Sequence, residues 1–149
     1  MISRYGETGP SLAGLATFKF ATKDYVGWEL DSQRALELNR DSVLGYLFTG
    51  AQLDVLGRRD EARRTWQAGL AIVRKELNDA PQSVRLKSIE IRYLAALEER
   101  EAVESDSSEL LRTDNATARY SVFLARTLLG DDELAIGLAS DSLSKGDLW

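Results

Sequence analysis

The sequence predicts an all-α chain of about four helix hairpins laid one after another. Three observations predict it. Apolar residues recur every three or four positions along most of the chain, and no segment shows the strict alternation of a half-buried strand. Only two prolines, Pro10 and Pro81, interrupt 149 residues, so long helices are allowed. A set of landmark residues also returns at the spacing of a helix–turn–helix unit.

The landmarks are specific. Leu56-Gly57-Arg58-Arg59-Asp60-Glu61-Ala62 is followed by Trp66, Gly69 and Leu70. Leu129-Gly130-Asp131-Asp132-Glu133-Leu134-Ala135 is followed by Ala139, Ser142 and Leu143. Gly57 to Ala62 is five residues, as is Gly130 to Ala135; Ala62 to Trp66 is four, as is Ala135 to Ala139. Lys23-Asp24-Tyr25 and then Ala35-Leu36-Glu37-Leu38-Asn39 belong to an earlier unit, and Ala35 and Gly69 lie 34 residues apart.

This pattern resembles the tetratricopeptide repeat family, whose unit is a 34-residue helix pair. Gly50 with Tyr46 and Leu53 matches the first helix of the unit. Gly57 matches its turn, Ala62 and Trp66 its second helix, and Ala35 to Asn39 its ending. The resemblance covers nearly the whole chain as one domain, with repeats at about 9–42, 43–76, 83–115 and 116–149. The third is degenerate, since Glu98 stands where the turn glycine belongs. The resemblance implies a right-handed α–α superhelix, or solenoid, that binds another protein in a concave groove.

The elements follow in order. Pro10 suits the first turn of a helix over 10–21, where a missing N–H is tolerated. A second helix covers 25–38 and closes on the Ala-Leu-Glu-Leu-Asn run. The helix over 42–56 is apolar on most sides (Leu44, Tyr46, Leu47, Phe48, Ala51, Leu53, Val55, Leu56), so it needs cover from its own partner and from a neighbouring pair. Gly50 inside it, unfavourable by about 1 kcal/mol, implies a close helix approach. The helix over 59–77 carries a stripe of Ala62, Trp66, Gly69, Leu70, Val73 and Leu77. Its Asp60 and Arg64 are spaced for a supporting i,i+4 pair. Pro81 is expected at the first turn of a helix over 82–97. Helices over 99–111 and 116–129 follow. The last, over 132–145, has Asp131, Asp132 and Glu133 at its positive end and Gly146 as its stop.

Composition narrows the chemistry. There is no cysteine and no histidine. Disulfides, zinc fingers and thiol nucleophiles are thereby excluded, together with the commonest general base and metal ligand. No phosphate-binding glycine loop or nucleophile-elbow motif is present. The acidic run Glu98, Glu99, Glu101, Glu104, Asp106, Glu109 and Asp114 lacks the ligand order of a calcium loop and reads as a solvated face. Arg58, Arg59, Arg63 and Arg64 read as a solvated face paired with Asp60 and Glu61. No catalysis, cofactor or metal is expected.

A net charge of −5 gives no field for nucleic acid or anionic lipid. No apolar run reaches bilayer length, and Met1–Gly9 lacks the regions of a signal peptide; the expected compartment is the cytoplasm.

The partner-binding residues implied by the resemblance lie on the first helices: Phe20, Leu47, Phe48, Ala51, Val55, Tyr120 and Leu124, with Arg92 or Ile91 for the degenerate unit. One subgroup of the family clamps a C-terminal carboxylate with basic and amide side chains. Here the matching places hold Ala13, Thr17 and Phe48, so chaperone-tail binding is not expected. A mostly apolar groove instead suits an amphipathic helix of another protein. The same apolar residues are also readable as core. The apolar Trp149 at the chain end suggests a truncated array or end-to-end association; self-association as a homodimer is the second expectation. A small-ligand sensor on a helical scaffold is the third.

Overall fold

The computed structural model describes residues 8–146. Every regular element among them is helical. The eight helices are α1 (Gly9–Ala21), α2 (Tyr25–Leu38), α3 (Val43–Val55), α4 (Arg59–Asp79), α5 (Val84–Ala96), α6 (Arg100–Leu111), α7 (Ala116–Leu128) and α8 (Asp132–Ser144). Trp149 and most of Met1–Gly9 lie outside the described residues.

The odd-numbered helices are built alike. Each has 13 residues. Each is capped by a short polar side chain that accepts the backbone N–H three residues on: Thr8 from Ser11, Ser42 from Gly45, Ser83 from Leu86 and Asn115 from Ala118. This satisfies an amide that the helix cannot. The caps stand 34, 41 and 32 residues apart.

Each odd helix also ends in the same turn. Lys23, Gly57, Glu98 and Gly130 have φ of 64°, 76°, 63° and 75°, in the left-handed region. The next residue donates to the carbonyl five residues earlier, at 2.9 Å in all four cases: Asp24 to Lys19, Arg58 to Leu53, Glu99 to Leu94 and Asp131 to Arg126. This is the Schellman closure, which occupies carbonyls left open at a helix end. Glycine suits the left-handed position because it has no Cβ, yet Lys23 and Glu98 occupy it in two of the turns. Glu98→Gly is therefore expected to stabilise the chain by about 1 kcal/mol, read as a higher denaturant midpoint. A lower midpoint would contradict the strain at this turn.

The even helices repeat a burial pattern counted from that turn residue. Five positions on come Trp28, Ala62, Val103 and Ala135, all buried. Seven further residues give Ala35, Gly69, Leu110 and Ser142, again all buried. The distance from the turn residue to these two buried positions is thus the same after all four turns.

The chain divides into two compact units, Met1–Thr65 and Trp66–Trp149. In the first, α1 packs along α2, and α2 meets α3. A Cβ on Gly9 would lie 2.8 Å from the Asn39 Cβ, so the start of α1 passes tightly over the end of α2. Trp28 is buried and meets the Phe20 ring edge-on at 5.5 Å. Lys19 pairs with Asp31 at 2.7 Å across α1 and α2.

In the second unit, α5 packs on both α6 and α7, and α7 packs on α6 and α8. Each first helix here touches its own partner and the neighbouring pair. Ile91, Tyr93, Val103, Leu110, Ala118, Val122 and Ala125 fill the core. Arg100 and Arg126 both bind the Asp131 carboxylate, at the start of α8, and hold it below the usual aspartate range.

Three local expectations need correction. Pro81 lies in the linker, because Ser83 caps α5 and the helix starts at Val84. No ion pair joins Asp60 to Arg64; Arg58 instead takes both Glu61 oxygens, at 2.7 and 2.6 Å, and Glu29 at 2.9 Å. Those bonds raise the Arg58 guanidinium above its ordinary range and lower Glu61. Finally, α4 runs to Asp79, two residues beyond the expected end.

Candidate functional site

In the first unit, Phe20 on α1 and Phe48, Ala51 and Val55 on α3 line one recess of about 310 Å³, together with Thr17 and Gln52. The three α3 positions recur at helical spacing and so share a face. Phe48 is 52% exposed and Val55 75%. Phe20 is half-buried, held edge-on by Tyr25 and Trp28. Leu47 is only 6% exposed and lies in the core, apart from this strip.

A second recess of about 230 Å³ adjoins the first and shares Thr17, Phe48 and Gln52 with it. Ala13 also lines it, so the three places that a carboxylate clamp would use come together here without a basic side chain. Among the described residues, no charged side chain lines either recess. A charge brought by a ligand would lose water there and gain no ionic partner. Gln52 is fixed by its carbonyl, which accepts from the Trp28 indole N–H at 2.6 Å. Thr17 donates its hydroxyl to the Ala13 carbonyl.

Thr17 was named only as a place where a carboxylate clamp is missing, and Gln52 did not stand out in the sequence. The turn residues supply the missing signal: counted back from Lys23, Gly57, Glu98 and Gly130, Thr17, Ala51, Arg92 and Leu124 are equivalent.

No family model, curated protein or solved structure matches the chain.

The remaining expected residues lie in the second unit. The turn at Glu98 fixes the register, aligning Arg92 with Ala51; the alternative, Ile91, is fully buried. Arg92 on α5 is half-buried, and burial pushes its guanidinium below the usual range, with Tyr120 and Tyr93 acting in the opposite direction. Tyr120 on α7 is 38% exposed and stacks near-parallel on Phe123 at 6.4 Å. Leu124 is half-buried on the same helix.

The acidic run is spread over α6 and its flanks. Glu109 binds Lys87 across α5 and α6, which lowers its carboxyl. Asp114 binds the buried Arg119 at 2.8 Å. Burial raises the Asp106 carboxyl, with Glu90 and Glu109 adding to the effect. Among the described residues, no three acidic groups converge as a metal ion would require, and no helix is long and apolar enough to cross a membrane.

Proposed function

We propose that the chain is a protein-interaction scaffold of tetratricopeptide-like pairs, arranged as a solenoid, whose α1–α3 surface receives the apolar face of a partner helix. The observation that carries this reading is the pair of charge-free recesses around Phe20, Phe48 and Val55. Large apolar side chains grouped on a surface mark interaction sites more often than isolated ones do. A helix laid into such a groove is anchored by apolar side chains on one of its faces. Arg92, Tyr120 and Leu124 are the corresponding residues of the second unit in this reading. The proposal assigns binding and no catalysis, with the cytoplasm as its setting.

Phe48→Asp with Val55→Asp tests the reading. Both residues are largely exposed, so the melting temperature is expected to stay within a few degrees of wild type, as surface changes usually allow. Affinity capture from the source organism should retain a partner on wild type and lose it on the double variant. Undiminished capture of that partner by the variant would remove the groove from consideration.

Self-association is the second reading, favoured by Ile136 and Leu143 on α8. They are 66% and 73% exposed and seven residues apart, so they share one side of the helix. Light scattering across a concentration series decides it, and a constant monomer mass rejects it.

A further inference from the structure

The α2–α3 seam shares one recess with the partner surface and extends beyond it. Besides the uncharged recess of about 230 Å³ beside α1, a recess of about 220 Å³ opens beside the start of α4. The two adjoin at Ser32, Leu36 and Thr49, which line both. Ser32 is 5% exposed. Neither its hydroxyl nor that of Thr49 makes a hydrogen bond among the described residues. Helical hydroxyls commonly donate to the carbonyl four residues back, and Thr17, Thr65 and Thr127 do so here. Neither hydroxyl is among the buried side-chain atoms left without a hydrogen bond, which belong to Asp31, Ser88 and Ser142, so both remain accessible to a group bound in the seam.

The second recess also has a charged mouth. Glu29 and Glu61 are both bound by Arg58. Arg64 lines the same mouth and is exposed. It makes no hydrogen bond or ion pair among the described residues, and its charge acts on Glu61 only at longer range. Its planar fork of donors suits a carboxylate. One direction through the seam therefore runs from a cationic head position, past two unbonded hydroxyls, to an apolar recess without charge.

We propose that the α2–α3 seam binds a small amphipathic carboxylate. Its head sits on Arg64, Ser32 and Thr49 hydrogen-bond beside it, and its apolar body fills the recess toward α1.

Titration of the full chain with octanoate, octylamine and octanol, followed by amide NMR shifts, tests the assignment. Octanoate is expected to give saturable shifts centred on Ser32, Leu36, Thr49 and Arg64, with weaker effects from the amine and the alcohol. Arg64→Gln should weaken octanoate about tenfold, the size of one charge-assisted hydrogen bond, and leave the melting temperature unchanged. Arg63→Gln should leave the affinity as it was. Thr49→Val, which keeps the shape and removes the hydroxyl, should weaken binding again. Absence of saturable shifts, equal binding of octylamine, or an unchanged affinity in Arg64→Gln would each overturn the proposal.

Discussion

Trp28→Ala is expected to lower the stability of the chain by about 3–5 kcal/mol, the usual range for truncating a large buried aromatic. Trp28 is 1% exposed and fills the place that alanine or valine takes in the other three pairs. Two losses combine. The indole packs edge-on with Phe20, and its N–H donates to Gln52, whose carbonyl would lose that partner. Trp28→Phe separates them, because it keeps much of the ring and removes the donor. The phenylalanine variant should lose about 1–3 kcal/mol less than the alanine variant if packing dominates. Denaturant unfolding followed by circular dichroism gives both values. A loss under about 1 kcal/mol in Trp28→Ala would mean that the first unit is not organised around this side chain, since typical total stabilities are only about 5–15 kcal/mol.

Val103→Asp is expected to be as severe, at about 3–5 kcal/mol near neutral pH, the range measured when a buried charge is left uncompensated. Val103 is fully buried on α6, five residues past the turn at Glu98. A carboxyl there would have a folded-state pKa above its unfolded value of about 3.9. Its penalty is then fully present above the folded pKa and shrinks as pH falls toward the unfolded one. The gap between Val103→Asp and the uncharged Val103→Asn should be wide at pH 7 and nearly closed by about pH 4. A gap that does not change with pH would show that the carboxylate escapes to water, and that α6 does not hold this position inward.

The helices themselves were legible because each carries an apolar stripe with clear stops. Gly57, Gly130 and Gly146 mark three turns directly. Glu98 was placed at a turn only by its position in the repeat, and Lys23 gave no sign of one, since neither side chain marks a left-handed backbone. The four N-caps were present in the sequence at Thr8, Ser42, Ser83 and Asn115. Short polar residues are too common to be noticed before the turns that align them are known. Pro81 misled because a proline signals a helix start only loosely, whereas Ser83 makes the actual bond.

The site was only partly legible. Phe48, Ala51 and Val55 share a face by helical spacing alone. Leu47 has the same apolar character as Phe48 and sits one position away, about 100° around the helix. Periodicity cannot tell which of the two is covered when a helix is apolar on most sides. Gln52 was missed because its contribution depends on contacts between helices. The recess beside α4 depends likewise on where Arg58 directs its bonds.

The long helix α4 has 21 residues where α2 has 14, and the caps on either side of it stand 41 rather than 34 apart. The whole surplus is seven residues, close to two full turns at 3.6 residues each. Lengthening by that amount leaves the end of the helix at nearly the angular position that a 14-residue helix would give; along it Ala62, Trp66, Leu70 and Val73, three or four residues apart, are all buried. The chain's longest helix thus exceeds α2 by close to a whole number of turns.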